Sequence, residues 1–190
     1  MKETKPTMNK TTVQQILGEI DIPEDQAHLI EILRTHLGCD NNKLREDFVC
    51  SLLGYTPSFG GAGYPDGYTQ TQQPVDCKSG PNVIFPDGFK SIAKKADWLI
   101  IVSEYTNDGK LIYVAEFPML EIMDELIDDV DKKTKKLSTT KPSRISPSVS
   151  SKVWLTKDVV VRYKNKSLFK TNKNGKLNKF YTQLDQLSVG

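Results

Sequence analysis

The sequence predicts an α/β fold in which a central mixed sheet is flanked by helices and followed by a basic, β-rich C-terminal arm. Three observations carry this: helical apolar spacing in the first third of the chain, two adjacent β-branched apolar runs near its middle, and a change of charge sign near residue 131. With 190 residues, 37% of them apolar, the chain is long enough for a core of its own plus an appendage. The expected division is an α/β core with N-terminal helices over 1–137 and a basic segment over 138–190, packed on the same domain.

The first helix is expected over residues 12–20, where Val13, Ile16, Leu17 and Ile20 share one face and Thr11 or Thr12 can cap it. Pro23 opens a second, whose Ala27, Leu29, Ile30, Ile32, Leu33 and Leu37 run to Gly38. A third begins near Asn41 or Asn42 and carries Leu44, Phe48, Val49, Leu52 and Leu53 to the C-cap Gly54, with Arg45, Glu46 and Asp47 on its other face. Glycine-rich loop and short strands follow, and Pro74-Val75-Asp76-Cys77-Lys78 alternates with the period of a strand. A helical turn at 92–95 precedes the runs DWLIIVSEY and KLIYVAEF, joined by the hairpin turn TNDG. Strands this apolar are expected to be central and covered on both faces. Pro118 then opens a helix whose Leu120, Met123, Leu126, Ile127 and Val130 face the sheet. The Ser/Thr/Pro-rich connection STTKPSRISPSVSS leads to a basic hairpin in VWLTKDVVVRYKNKSLFK and a last turn at KNGK. No internal repeat is present.

The net charge of +2 conceals an asymmetry: residues 1–131 hold 11 Lys+Arg against 22 Asp+Glu, and residues 132–180 hold 15 against the single Asp158. An acidic front and a basic back suit a protein that holds cations in one place and a polyanion in another. No apolar run approaches the roughly 20 residues of a membrane span. The N-terminal MKETKPTMNK lacks the apolar stretch of a signal peptide, so the expectation is a cytoplasmic protein. Cys39, Cys50 and Cys77 have no zinc-ligand spacing and read as buried free thiols. His28 and His36 sit together on an early helix and offer no histidine-metal site. Gly60-Gly61-Ala62-Gly63 lacks the lysine and helix of a phosphate loop.

The stretch 63–80, GYPDGYTQTQQPVDCKSG, holds two acids and one lysine among neutral residues. Asp66 lies in a Pro-Asp-Gly turn, while Asp76 and Lys78, two apart on a strand, leave the same face. Across a hairpin the two carboxylates can converge, and with the backbone carbonyl of Cys77 they make a partial shell of hard oxygens for Mg²⁺. Lys78 supplies a positive charge beside it, able to hold a water against a phosphate.

Pro65-Asp66, nine residues, then Asp76-Cys77-Lys78 resembles the PD-(D/E)xK nuclease superfamily, best known from type II restriction endonucleases; the likeness covers about residues 42–117. It implies a restriction-endonuclease-like core in which a glutamate-bearing helix precedes two motif strands, and another strand and helix complete the fold. It further implies Mg²⁺ on Asp66 and Asp76, Lys78 assisting water attack, and a homodimer across double-stranded DNA. Glu46 occupies the helical position, although Asp47 could take the same role. A rival assignment uses Pro86-Asp87 with Asp108-Gly109-Lys110, but NDGK already has a local reason as a turn.

Expected DNA contacts lie in the basic segment: Lys141, Arg144, Lys152, Lys157, Arg162, Lys164 and Lys166 for phosphates, with Arg144, Ser146, Ser148, Ser150 and Ser151 suited to base edges. Trp154 and Tyr163 are of the type that stacks on bases, but in a strand of period two they read rather as core. The expected function is a Mg²⁺-dependent, site-specific double-strand endonuclease of restriction type. A repair nuclease or junction resolvase of the same superfamily, and a DNA-binding protein without catalysis, are the alternatives.

Overall fold

A computed structural model describes residues 41–58, 63–86, 88, 92–107, 109–137 and 145–190. The helices expected over 12–20 and 27–37, with His28, His36 and Cys39, lie outside the described residues, as do Lys141 and Arg144.

Among the described residues, helix α1 (Asn41–Leu52) leads into strands β1 (Thr56–Pro57), β2 (Gly67–Tyr68) and β3 (Pro74–Ser79). Next come β4 (Val83–Ile84), β5 (Leu99–Tyr105) and β6 (Leu111–Pro118). Helix α2 (Met123–Leu137), β7 (Ser148–Val149), the short α3 (Ser151–Trp154), β8 (Val160–Lys164) and α4 (Lys179–Gln186) complete the chain. One six-stranded sheet has the order β1-β2-β3-β5-β6-β8, and β4 pairs with β7 in a small second sheet. β3 runs parallel to β5 while the other neighbouring pairs are antiparallel, so the sheet is mixed, as expected.

The β5–β6 pair is the centre, and its apolar runs place it there. Every residue from Leu111 to Phe117 is buried. On one face Leu44, Phe48, Val49 and Cys50 of α1 pack on Val75, Ile101 and Val114. On the other, Ile100, Val102 and Ala115 meet Phe85, Trp98, Leu126 and Trp154. The alternation of Ile100, Ile101 and Val102 between these clusters is the period of two made visible.

Two expectations change. β6 runs through Pro118, whose backbone is extended, into a 3₁₀ turn Met119–Ile122 before α2 begins. Met119 and Ile122 take the inward positions, and the tighter turn swings Leu120 out to 65% exposure; Ile127, at the margin of the stripe, is also exposed.

The basic hairpin is not formed either. Trp154 is fully buried, stacks on Phe117 at 5.5 Å between centroids, and donates from Nε1 to the carbonyl of Pro81 at 2.8 Å. These contacts turn the first half of the expected hairpin into α3. The second half, β8, pairs with the open edge of β6 instead. Val161, Phe169, Tyr181 and Leu184 join the same core as β5 and β6, so the described part of the basic segment does not stand off as an arm.

Truncation should separate the two environments. Trp154→Ala is expected to cost about 3–5 kcal/mol of stability, and Leu120→Ser to stay within about 0.5 kcal/mol of the parent. Urea denaturation measures both, and comparable losses would contradict this packing.

Candidate active site

Asp66 is positioned by main chain on three sides. Its N–H donates to the carbonyl of Val75, its own carbonyl accepts from the N–H of Ser58, both at 2.8 Å, and its Oδ2 accepts from the N–H of Cys77 at 2.7 Å. The register that sets Gly67 opposite Val75 would, continued by one residue, set Asp66 opposite Asp76. The chain bends at Asp66 instead, and its carboxylate ties the turn to β3. The glycine that follows is required by close approach: a Cβ on Gly67 would stand 2.8 Å from Cys50 Sγ and 2.9 Å from the carbonyl of Thr56. Glycine there lets α1 and β1 pack against the backbone that carries Asp66.

Alternation along β3 sends Val75 and Cys77 toward α1 and leaves Asp76 and Lys78 on the opposite face. Cys77 Sγ lies 3.9 Å from Cys50 Sγ, and both are free thiols. Asp76 is only 2% exposed. A buried carboxylate must be paired, and this one meets an ammonium on each oxygen. Lys78 pairs with Oδ1, and Lys95, itself 6% exposed, donates to Oδ2 at 2.5 Å. Aromatic faces enclose the lysines: Lys95 Nζ is 4.7 Å from the Trp98 ring centroid, and Lys78 Nζ is 4.8 Å from that of Phe85.

Glu46 lies on α1 above this edge. A cavity of about 340 Å³ opens between α1, the end of β3 and β4, lined by Asn42, Glu46, Cys77, Lys78, Ser79 and Asn82 among others. Burial, with Asp66 beside it, raises the pKa of Glu46 to about 7. Burial raises the neighbouring Asp47 to about 6 against the pull of Lys43, whose ammonium is 2.7 Å from it. Asp66 is raised by burial, opposed by the Cys77 N–H and reinforced by Asp76. The acids at this edge therefore bear charge that their surroundings and one another disfavour, which a small cation would relieve.

The donors are of the right kind for Mg²⁺, being hard carboxylate oxygens. Among the described residues no three His, Cys, Asp or Glu side chains gather closely enough to form a ligand set by themselves. An ion at this edge would draw as well on the backbone carbonyl of Cys77, water or substrate, as Mg²⁺ commonly does. It would also compete with Lys78 and Lys95 for Asp76.

Thus Asp66, Asp76 and Lys78 lie on or beside β3, with Glu46 on α1 close to Asp66 and Lys78, while Asp76 is on the face away from α1 and does not line the cavity. Lys95 was missed by the motif. The signal was present in its spacing, since Ile92, Lys95 and Trp98 recur every three residues, and Ile92 and Trp98 are both buried. The rival acids Asp87 and Asp108 lie outside the described residues.

The expected DNA contacts are mostly engaged within the chain. Lys157 pairs with Glu125 and Arg162 with Glu116, both at 2.5 Å, and Lys166 pairs with Asp185 at 2.6 Å. Lys164 reaches Asp185 at 3.6 Å and donates to the carbonyls of Asp185 and Leu187. The Ser146 carbonyl accepts from Lys133 at 2.8 Å, and Ser146 and Lys152 are exposed. Tyr163 is partly buried against the α1 cluster, in keeping with its reading as core. No family model matches the sequence, and a comparison with curated proteins finds no significant match.

The raised carboxyls make a pH prediction. A carboxyl that holds its proton more tightly when folded loses stability as it ionises, so Glu46 should make the protein less stable as pH rises from 4.5 through about 7. Urea denaturation in EDTA should find Glu46→Gln more stable than the parent at pH 8 by about 1–3 kcal/mol, with a flatter pH profile below it. Identical profiles would show that burial does not disfavour the Glu46 charge.

Proposed function

We propose that this chain is a Mg²⁺-dependent, site-specific endonuclease of double-stranded DNA, of type II restriction character, acting through the resembled PD-(D/E)xK motif. The observation that carries the reading is a juxtaposition. A helix bearing Glu46, the turn bearing Asp66 and the strand bearing Asp76 and Lys78 come together around β3, where Glu46 and Lys78 line a cavity of about 340 Å³, with a further strand and helix beyond. That order of elements is the one the resemblance implies.

In this reading Asp66, Asp76 and the Cys77 carbonyl hold Mg²⁺, with Glu46 at its margin. When bound, the ion supplies charge neutralisation and Lewis-acid polarisation at the scissile phosphate. Lys78, sharing Asp76 with a second lysine, is able to turn its ammonium toward the attacking water while Lys95 keeps the carboxylate paired. Glu46, lining the cavity, is placed to accept a proton from that water, its raised pKa in the metal-free protein being lowered again by a bound cation. Symmetric cutting of two strands with one such site per chain calls for a homodimer.

One observation favours the reading of a DNA-binding protein without catalysis: both oxygens of Asp76 are already occupied by lysines. Plasmid DNA incubated with protein and Mg²⁺, against an EDTA control, decides between them. Discrete fragments are expected; a shifted but intact plasmid would establish the binder, and a smear a nuclease without sequence preference.

Cleavage should be lost in Asp66→Asn, Asp76→Asn and Lys78→Met. The amide at 76 keeps one acceptor where alanine would keep none, but it leaves Lys78 and Lys95 without their anion, so circular dichroism of this variant controls for folding. Near-normal cleavage by Asp76→Asn would remove the metal-site assignment. Sedimentation should find a dimer free or on DNA, and a monomer in both states would instead point to a nicking enzyme.

A further inference from the structure

Between Asp158 and Asp185 the chain carries seven lysines and arginines and no acid. Four of these have carboxylates brought to them from elsewhere in the fold: Arg162 by Glu116, Lys164 and Lys166 by Asp185, and Lys170 by Glu104. Lys173, Lys176 and Lys179 are exposed and have no ion pair among the described residues. Within this stretch the uncompensated charge is thus gathered around a turn, while Lys132, Lys135, Lys136 and Lys152 are exposed elsewhere.

That turn is ordered from within. Thr171 and Leu177 form an antiparallel bridge, the Asn172 N–H donates to the Lys176 carbonyl at 2.7 Å, and the Gly175 N–H donates to the Asn172 carbonyl at 3.0 Å. Asn172 Oδ1 accepts from the N–H groups of Asn174 at 2.9 Å and Lys176 at 3.1 Å, and Gly175 supplies the left-handed backbone at φ +73°. All seven residues from 171 to 177 are exposed, so this organisation serves no core. Nor does Lys179 serve helix stability, since it opens α4, where a cation is disfavoured by the helix dipole.

We propose that the turn 171–177, with Lys179 behind it, is a phosphate grip on duplex DNA; the choice of partner rests on the nuclease reading. A turn closed by a single bridge is narrow enough for the major groove, about 12 Å wide, and Lys173 and Lys176 on either side of it are placed to meet the phosphates that border the groove. A membrane surface suits the turn poorly, because Leu177 is its one large apolar residue. Placement favours the same duplex that meets the candidate site. β8 and β3 run in the same direction, three strand spacings apart, which is about 14 Å. Both chains leave the sheet at the same end, β3 with Lys78 and β8 toward the turn.

The test is anisotropy of a labelled random-sequence duplex in EDTA, where cleavage plays no part, across a salt series. Lys173→Ala/Lys176→Ala/Lys179→Ala should flatten the log–log salt slope by about 2–3 and weaken binding at each salt concentration. Lys164→Ala/Lys166→Ala, which removes lysines already paired with Asp185, should flatten it by less than about 1. An unchanged slope in the triple variant, an equal loss in the double variant, or wild-type protein that binds phosphatidylserine vesicles but no duplex would each overturn the proposal. Circular dichroism of these surface variants controls for folding. The two readings fail separately: a protein whose binding depends on the turn but which never cuts with Mg²⁺ refutes the nuclease alone, whereas one that cuts while the triple variant keeps its slope refutes the grip alone.

Discussion

A carboxylate placed in the interior of a protein has to be paired, and the pairing of Asp76 organises one whole side of this molecule. β3 is the third strand of the sheet and is covered on both faces, so Asp76 cannot reach water. Lys78 comes to it from two residues along the same strand, Lys95 from the segment that crosses to β5. Phe85 and Trp98 close over the ammonium groups. The crossing segment thereby has its path set by charge as much as by apolar burial. Two cations on one anion leave a net positive interior beside a rim of acids, a polarity that favours a phosphate on one side and a metal ion on the other.

The rim is costly in a different way. Glu46 and Asp66 are partly buried near one another, and Asp47 adds a third charge, paired among the described residues with Lys43. Apolar packing of Phe48 and Val49 under α1 holds the acids where electrostatics alone would drive them apart. Gly67 permits that packing to come within contact of the strand backbone. Such opposition between packing and charge is common where a site is built for a ligand that the free protein lacks.

Much of this was legible from residue order. The runs 99–105 and 111–118 announce central strands by their unbroken β-branched content, and Leu44, Phe48 and Val49 announce α1 by spacing. The acid–acid–lysine set around Pro65 and Cys77 was legible too, because alternation fixes which side chains share a face. Other features have no local signature. β1, β2, β4 and β7 are two residues long, too short for any period to show, and exist only because a neighbour offers hydrogen bonds. Trp154 lies in a sequence that alternates like a strand, yet its burial against Phe117 overrides propensity. Lys95 required knowing that the crossing segment turns inward, and the engagement of Arg162 with Glu116 joins residues 46 positions apart.

The unequal lengths of the strands bear on the order in which the molecule assembles and yields. β5 and β6 form a local hairpin with a tight turn at Thr106 and Gly109, whereas β3 meets β5 in parallel only after the intervening segment has crossed. Pairings of that kind form late, because loop closure precedes any reward. Among the described residues only the two-residue strands β2 and β1 lie beyond β3, and short strands at a margin open more readily than the middle of a sheet. Each such opening admits water to Asp76 and its lysines. Access of solvent to Asp76 is thus tied to the opening of the least cooperative strands, on a timescale that the β5–β6 centre does not share.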